Sequence, residues 1–109
     1  MLKYIIRKNK KGKKQMEKLV ASAIKFYIVD DDEQDEYPTI MTDCRHADIF
    51  HKMWALQINY DKETHVQGFW TSENRFVDRY EAKKIAVAAN QLIVPEEDTG
   101  AELFSEDVW

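Results

Sequence analysis

Residues 64–93, THVQGFWTSENRFVDRYEAKKIAVAANQLI, carry the reading on which the fold turns. Thr64 to Thr71 is a strand-like run holding His65, Val66, Gln67, Phe69 and Trp70, residue types that suit a pleated, half-buried surface. Gly68 interrupts it, and glycine inside a strand marks a bulge or a close backbone approach. Ser72-Glu73-Asn74 is a compact turn signal, with Arg75-Phe76-Val77 as a short extended piece beyond it. Asp78 stands three residues before Glu81, the spacing of a capping box, and Ala82, Ile85, Ala86, Ala89 and Leu92 recur on one helical face. The spacing predicts a helix that ends near Ile93, ahead of Pro95. Strand, turn, strand and helix in one stretch point to an α+β fold, a small antiparallel sheet covered by two helices with an apolar C-terminal tail.

Upstream, LVASAIKFYIV at residues 19–29 is rich in β-branched and aromatic side chains and reads as a long half-buried strand, with its Ala-rich first half also open to a helical reading. An acidic connector, Asp30 to Glu36, leads through Pro38 to a shorter strand from Thr39 to Thr42, and the two strands read as a hairpin with a long loop. Asp43, or failing it Thr42, is the N-cap candidate for a helix over Arg45–Ile58. Ala47, Phe50, Met53, Trp54 and Ile58 form its expected core stripe. Asn59 to Glu63 is turn-like. Downstream, Glu96 to Trp109 sets Leu103, Phe104, Val108 and Trp109 among acids, so these apolar residues are expected to dock on the core or on a second subunit, which makes a homo-oligomer one outcome of the pattern.

The composition, 44% hydrophobic and 33% charged over 109 residues, suits one packed domain. Cys44 is the only cysteine, which excludes a disulfide scaffold and points to a reducing, cytoplasmic setting. No apolar run approaches the ~18 residues of a membrane span, so no membrane partner is expected. The net charge of −4 is unevenly spread. Residues 1–18 hold eight Lys or Arg against Glu17 alone, a balance of +7, while the remainder carries 8 bases and 19 acids, a balance of −11. The division is therefore a basic N-terminal extension, 1–18, and a single domain, 19–109. Within the extension, Leu2 to Arg7 is strand-like and the following Lys-rich run with Gly12 reads as an exposed turn or a disordered stretch. The lysines from Lys8 to Lys18 have no aromatic residue among them, so nucleic acid is not the expected partner.

The Walker loop, the dinucleotide-binding glycine fingerprint and the HExxH helix are absent from the sequence. His46, His51 and His65 could join Cys44 and Asp48 as metal ligands, but no pair has Cys-x-x-Cys or i,i+4 His-His spacing, and neither metal nor cofactor is expected. Two constellations carry more chemistry. Arg45-His46-x-Asp48 opens the first helix, where free N–H groups and a guanidinium can hold an anion, although ordinary helix-start chemistry accounts equally for these residues. Gln67, Phe69 and Thr71 with Arg75 and Arg79 gather cations, aromatics and hydroxyls about one strand, turn and helix start. Rings that stack and guanidinium groups that pair with phosphate are what a planar anionic ligand needs. The plainer reading places Phe69 and Phe76 in the core and pairs Arg79 with a neighbouring acid.

At these positions the sequence resembles a family of small tailed-bacteriophage and prophage proteins, most without assigned function. The resemblance rests on Arg45-His46-Ala47-Asp48, on Gln67-Gly68-Phe69 with Thr71, and on Arg75-Phe76-Val77-Asp78-Arg79 with Glu81-Ala82. Ala88-Ala89-Asn90-Gln91 and Leu103-Phe104-Ser105-Glu106-Asp107-Val108-Trp109 complete it, over residues 19–109. It implies no particular reaction, but it implies a phage setting in which small accessory proteins act against host defence. The reading favoured by residues and resemblance together is a non-enzymatic accessory protein that binds a small phosphorylated, nucleotide-like ligand through Arg45, His46, Gln67, Phe69, Thr71, Arg75 and Arg79. The alternative is an acidic interaction module for a host protein, with Asp30 to Glu36 as its densest patch. A third is a small hydrolase using His46 or His65.

Overall fold

The computed structural model describes the backbone of residues 7–8 and 14–15 and the whole of residues 16–109; the strand-like reading of residues 2–6 lies outside the described residues. Arg7–Lys8 (β1) and Lys14–Gln15 (β2) pair antiparallel. The sheet that organises the molecule is built on Leu19–Phe26 (β3), which takes Thr39–Asp43 (β6) on one side and Val66–Thr71 (β7) on the other. Phe76–Asp78 (β8) adds to β7, giving an all-antiparallel order β6-β3-β7-β8. Between β3 and β6 lies Val29–Asp30 (β4) paired with Glu33–Gln34 (β5). The first long strand thus stops at Phe26 rather than Val29. The acidic connector is itself a hairpin, closed by Asp31 and Asp32 at φ 49° and 66°, and positive φ at both central residues matches the twist of flanking strands.

Alternation along β3 sends Ser22, Ile24 and Phe26 to one face, where cross-strand neighbours Met41, Phe69 and Val77 join them. Both helices pack on this face. His46–Ala55 (α1) lies over β3 and β6 and buries Ile49 and Met53 against Ile24 and Phe26. Arg79–Ala88 (α2) lies over β7 and β8 and buries Ala82, Ile85 and Ala86 with Leu19, Phe69 and Val77. The tail completes this second cluster. Leu103 and Val108 are buried there and Trp109 packs beside them, so the tail docks on the core, with two single-turn helices at Glu96–Asp98 and Ser105–Asp107. Phe104 remains exposed. The result is the two-layer α+β architecture expected from residues 64–93.

Both helices differ from their sequence-based bounds for identifiable reasons. Asp43 ends β6 and accepts from the Cys44 N–H (2.6 Å) while pairing with Lys52 (3.0 Å), so it does not cap α1; Arg45 holds the cap position without a side-chain cap bond. The buried stripe of α1 is His46, Ile49 and Met53. Phe50 and Ile58 are only partly buried, and Ala47 and Trp54 face solvent. Each helix ends in a left-handed residue. Gln57 (φ 57°) ends α1, with Ile58 N–H bonding Met53 O and Gln57 N–H bonding Trp54 O. Asn90 (φ 57°) ends α2 in the same way, through Gln91 N–H to Ala86 O and Asn90 N–H to Val87 O. These are Schellman closures, and they satisfy carbonyls that a longer helix would have satisfied internally. Asp78 caps α2 by accepting from Glu81 N–H at 2.8 Å, as its spacing predicted.

Gly68 marks a close backbone approach. A Cβ there would collide with the Val77 carbonyl oxygen and stand 2.7 Å from the Phe76 ring, nearer than any side chain tolerates.

Candidate functional site

The residues gathered by the sequence fall into three separate settings. In the first, Arg75 and Thr71 close on Glu17, which is 1% exposed just ahead of β3. Arg75 grips that carboxylate with both arms of its fork, Nε at 2.7 Å and a terminal nitrogen at 2.8 Å, and reaches Glu81 at 2.8 Å. The Thr71 hydroxyl donates to the same carboxylate at 2.6 Å and accepts from Glu73 N–H at 3.1 Å. Burial pushes the Glu17 carboxyl up, but the Arg75 and Thr71 hydrogen bonds and the Arg75 charge outweigh it and leave its pKa lowered. The Arg75 guanidinium is correspondingly raised above its ordinary value, first by its bond to Glu17. Two backbone-linked contacts, Lys18 N–H to Ser72 Oγ (3.0 Å) and Ser72 N–H to Lys18 O (2.8 Å), dock the β7–β8 turn on the same segment. Sequence reasoning missed Glu17 because it sits among lysines; its being the one acid in that run was the available signal.

In the second setting, Arg45, His46 and Phe69 hold the tail against α1. The Arg45 guanidinium donates to the Trp109 backbone oxygen, and the Trp109 indole N–H donates to Cys44 O. Phe69, fully buried, meets the Trp109 ring edge-on at 5.9 Å and the His46 ring at 5.2 Å. His46 is buried and its Nε2–H donates to Gly68 O at 2.7 Å. Burial pushes the His46 pKa down, and the Arg79 charge adds to this against the opposing Gly68 bond. The ring is therefore neutral at pH 7. Arg45 also lies 3.7 Å from Glu106, but with both side chains largely solvated that pair contributes little.

Gln67 and Arg79 define the third setting, a cleft of about 290 Å³ lined by His65, Val66, Gln67, Asp78, Arg79, Tyr80 and Glu102. Arg79 donates to Gln67 Oε1 at 2.8 Å, and its guanidinium carbon stands 4.6 Å from the Phe104 ring centre. Its Nε is enclosed and has no hydrogen-bond partner among the described residues. Tyr80 bonds the Glu102 carboxylate, which raises the phenol's pKa. Asp78 is held by the α2 cap. His65 has Nδ1 2.6 Å from Lys62 O, so that nitrogen carries the proton and, in the neutral ring, Nε2 is left as an acceptor. Among the described residues no three His, Cys, Asp or Glu side chains converge to hold a metal ion, and no helix is long and apolar enough to cross a membrane.

The sheet, the two helices and the tail drawn over them define a small two-layer α+β protein in which Thr71, Arg75, Arg45 and His46 are engaged in internal contacts. A family model described as Phage T4 y16D protein matches residues 18–109, and the chain belongs to that family. The phage resemblance seen in the motifs is thereby established, with most of the Lys-rich arm outside the matched region. No curated protein and no solved structure matches the chain.

Proposed function

We propose that this phage protein is a non-enzymatic accessory protein that holds a small phosphorylated, nucleotide-like ligand in the cleft edged by Gln67 and Arg79, a role suited to counter-defence by sequestration. The observation that carries the reading is Arg79. Its guanidinium is fixed between the Gln67 amide and the Phe104 ring, yet its enclosed Nε–H has no acceptor. An enclosed donor without a partner costs about 1–3 kcal/mol, more when charged. An anion entering the cleft and drawing the guanidinium toward it removes that deficit. The carboxylates on the lining favour a ligand that also offers donors, and the exocyclic amine of a nucleobase meets Glu102 while the phosphate meets Arg79. The volume is near the lower end of the ~300–1,000 Å³ usual for ligand sites, which suits one nucleotide unit rather than a larger cofactor.

In this reading Arg45, His46 and Phe69 act from behind the cleft by seating the tail that carries Phe104. Thr71 and Arg75 act through Glu17 by holding the β7–β8 turn. The test is a thermal-shift screen of linear and cyclic nucleotides followed by calorimetric titration of any that raise the melting temperature. Arg79→Met and Gln67→Ala are each expected to weaken binding at least tenfold. The reading fails if no nucleotide binds, or if Arg79→Met binds as tightly as the parent protein.

A further inference from the structure

We infer that the C-terminal end of α1 and the β4–β5 hairpin together form a docking face for a basic segment of a partner protein that carries an aromatic or aliphatic anchor. This face shares no lining residue with the Arg79 cleft, although the cleft's His65 ring meets the groove's Phe50 and Tyr60 rings edge-on at 5.9 and 5.8 Å. Helix α1 turns His46, Ile49 and Met53 inward, which leaves Trp54, one position beyond Met53, 78% exposed and Leu56 66% exposed. Trp54 is also one wall of a groove of about 300 Å³ formed with Phe50, Met53, Ile58, Tyr60 and Lys62. The left-handed Gln57 creates the groove, because it reverses the chain and brings Ile58 and Tyr60 back beside the helix. An exposed tryptophan beside an apolar groove has the make-up of an interaction hot spot.

The same wall carries the hairpin. Val29 N–H bonds Asn59 O, Asp61 N–H bonds Tyr27 O, and Ile28 bridges Tyr60. From this base projects a run in which Asp30, Asp31, Asp32, Glu33, Asp35 and Glu36 are all exposed, with no Lys or Arg among them. Of the nearby cations, Lys52 on α1 is paired with Asp43, and the exposed Lys62 on the groove's lining is a single charge against the six carboxylates of this run. The apolar groove and the carboxylates call for one occupant that satisfies both. A polycation alone leaves Trp54 wet, and a nucleic acid is repelled. A second copy docked by two-fold symmetry would set two acidic hairpins against the same patch. A basic segment with an apolar anchor meets the groove with its side chain and the hairpin with its charge.

Fluorescence anisotropy with the full chain tests this, using three labelled peptides: an amphipathic Lys/Leu helix, its Glu/Leu counterpart and oligolysine. The Lys/Leu peptide is expected to bind at least tenfold tighter than oligolysine, with no binding by the Glu/Leu peptide. Trp54→Ser should weaken it at least fivefold, as should the triple variant Asp31→Asn, Asp32→Asn, Glu33→Gln, which should also flatten the salt dependence. These positions are exposed and Asn tolerates positive φ, so circular dichroism should show both variants folded. Arg79→Met should leave peptide binding unchanged, separating this face from the cleft. Wild-type binding by both surface variants, or equal affinity for oligolysine, overturns the inference. So does a Trp54-dependent dimer of the protein alone in sedimentation, since a second copy would then cover the face.

Discussion

Arg75 stands just before β8 and Arg79 opens α2, four residues apart in one motif, yet their surroundings differ in kind. Arg75 meets a carboxylate that is sealed from water, through two bonds that join segments distant in the chain, with the nearby Glu81 as a second acceptor. Arg79 meets a neutral amide and an aromatic face at the edge of a cleft, and keeps an unbonded donor. The difference teaches that residue type and spacing mark where polar chemistry lies without marking which part of it is structural. That depends on what the rest of the chain brings to each arginine.

The contrast can be broken most directly by truncating each arginine. Arg75→Met leaves Glu17 buried without its cation and is expected to cost about 3–5 kcal/mol in urea unfolding. Adding Glu17→Met should restore at least half of that, because a buried pair replaced by apolar groups is often nearly neutral; failure to recover would mean that Thr71 and Glu81, rather than the pair, dominate the network. Arg79→Met is expected to change stability by less than about 1 kcal/mol, the scale of one partly exposed cation–π contact, offset by removal of an unsatisfied donor. A large loss there would return Arg79 to the structural class.

Acid unfolding sharpens the same comparison on a smaller scale. The Glu17 carboxyl has its pKa held below the ordinary 4.5, so the unfolded chain takes up a proton first as pH falls, and the stability this group supplies above 4.5 is lost as pH drops through its lowered folded value. The His46 ring, lowered from 6.5, behaves alike in a higher window: the unfolded chain protonates near 6.5 while the buried ring stays neutral, so stability declines from there toward the folded value. Glu17→Gln should flatten the lower limb alone and His46→Gln the upper limb alone, read from unfolding midpoints against pH. Smallest of all, Asn90→Gly should shift stability by only a few tenths of a kcal/mol, since both residues accept the left-handed close of α2.

Much of the fold was legible. The strand, turn, strand and capped helix of residues 64–93 appear in the expected order, because Asp78 with its cap spacing and the turn residues Ser72 to Asn74 act locally. Glycine at Gly68 likewise announced a close approach. The stripe of α1 was misread because Ala47, Phe50, Met53 and Trp54 and the set His46, Ile49 and Met53 both fit a helical period, and only the position of the sheet chooses between them. Helix ends were read too far along because Gln57 adopts a left-handed conformation that local propensity does not announce, and because Asn90, a residue that favours such a close, was passed over in favour of the apolar residues beyond it. The candidate site was legible as a list of residues and not as a site. Thr71 and Arg75 are drawn to Glu17 across more than fifty positions of sequence, and Arg45 and His46 to the tail and to Gly68.

By itself, then, the sequence determined the α+β class, the antiparallel hairpin feeding α2, and membership of a phage family, since these rest on short-range periodicity, turn chemistry and motif identity. Only the tertiary structure decided which arginine is bound to a buried acid and which is left with a free donor. The physical reason is that a guanidinium's role is set by the acceptors within about 3 Å of it, and here the decisive acceptors arrive from the segment just ahead of β3 for Arg75 and from β7 for Arg79.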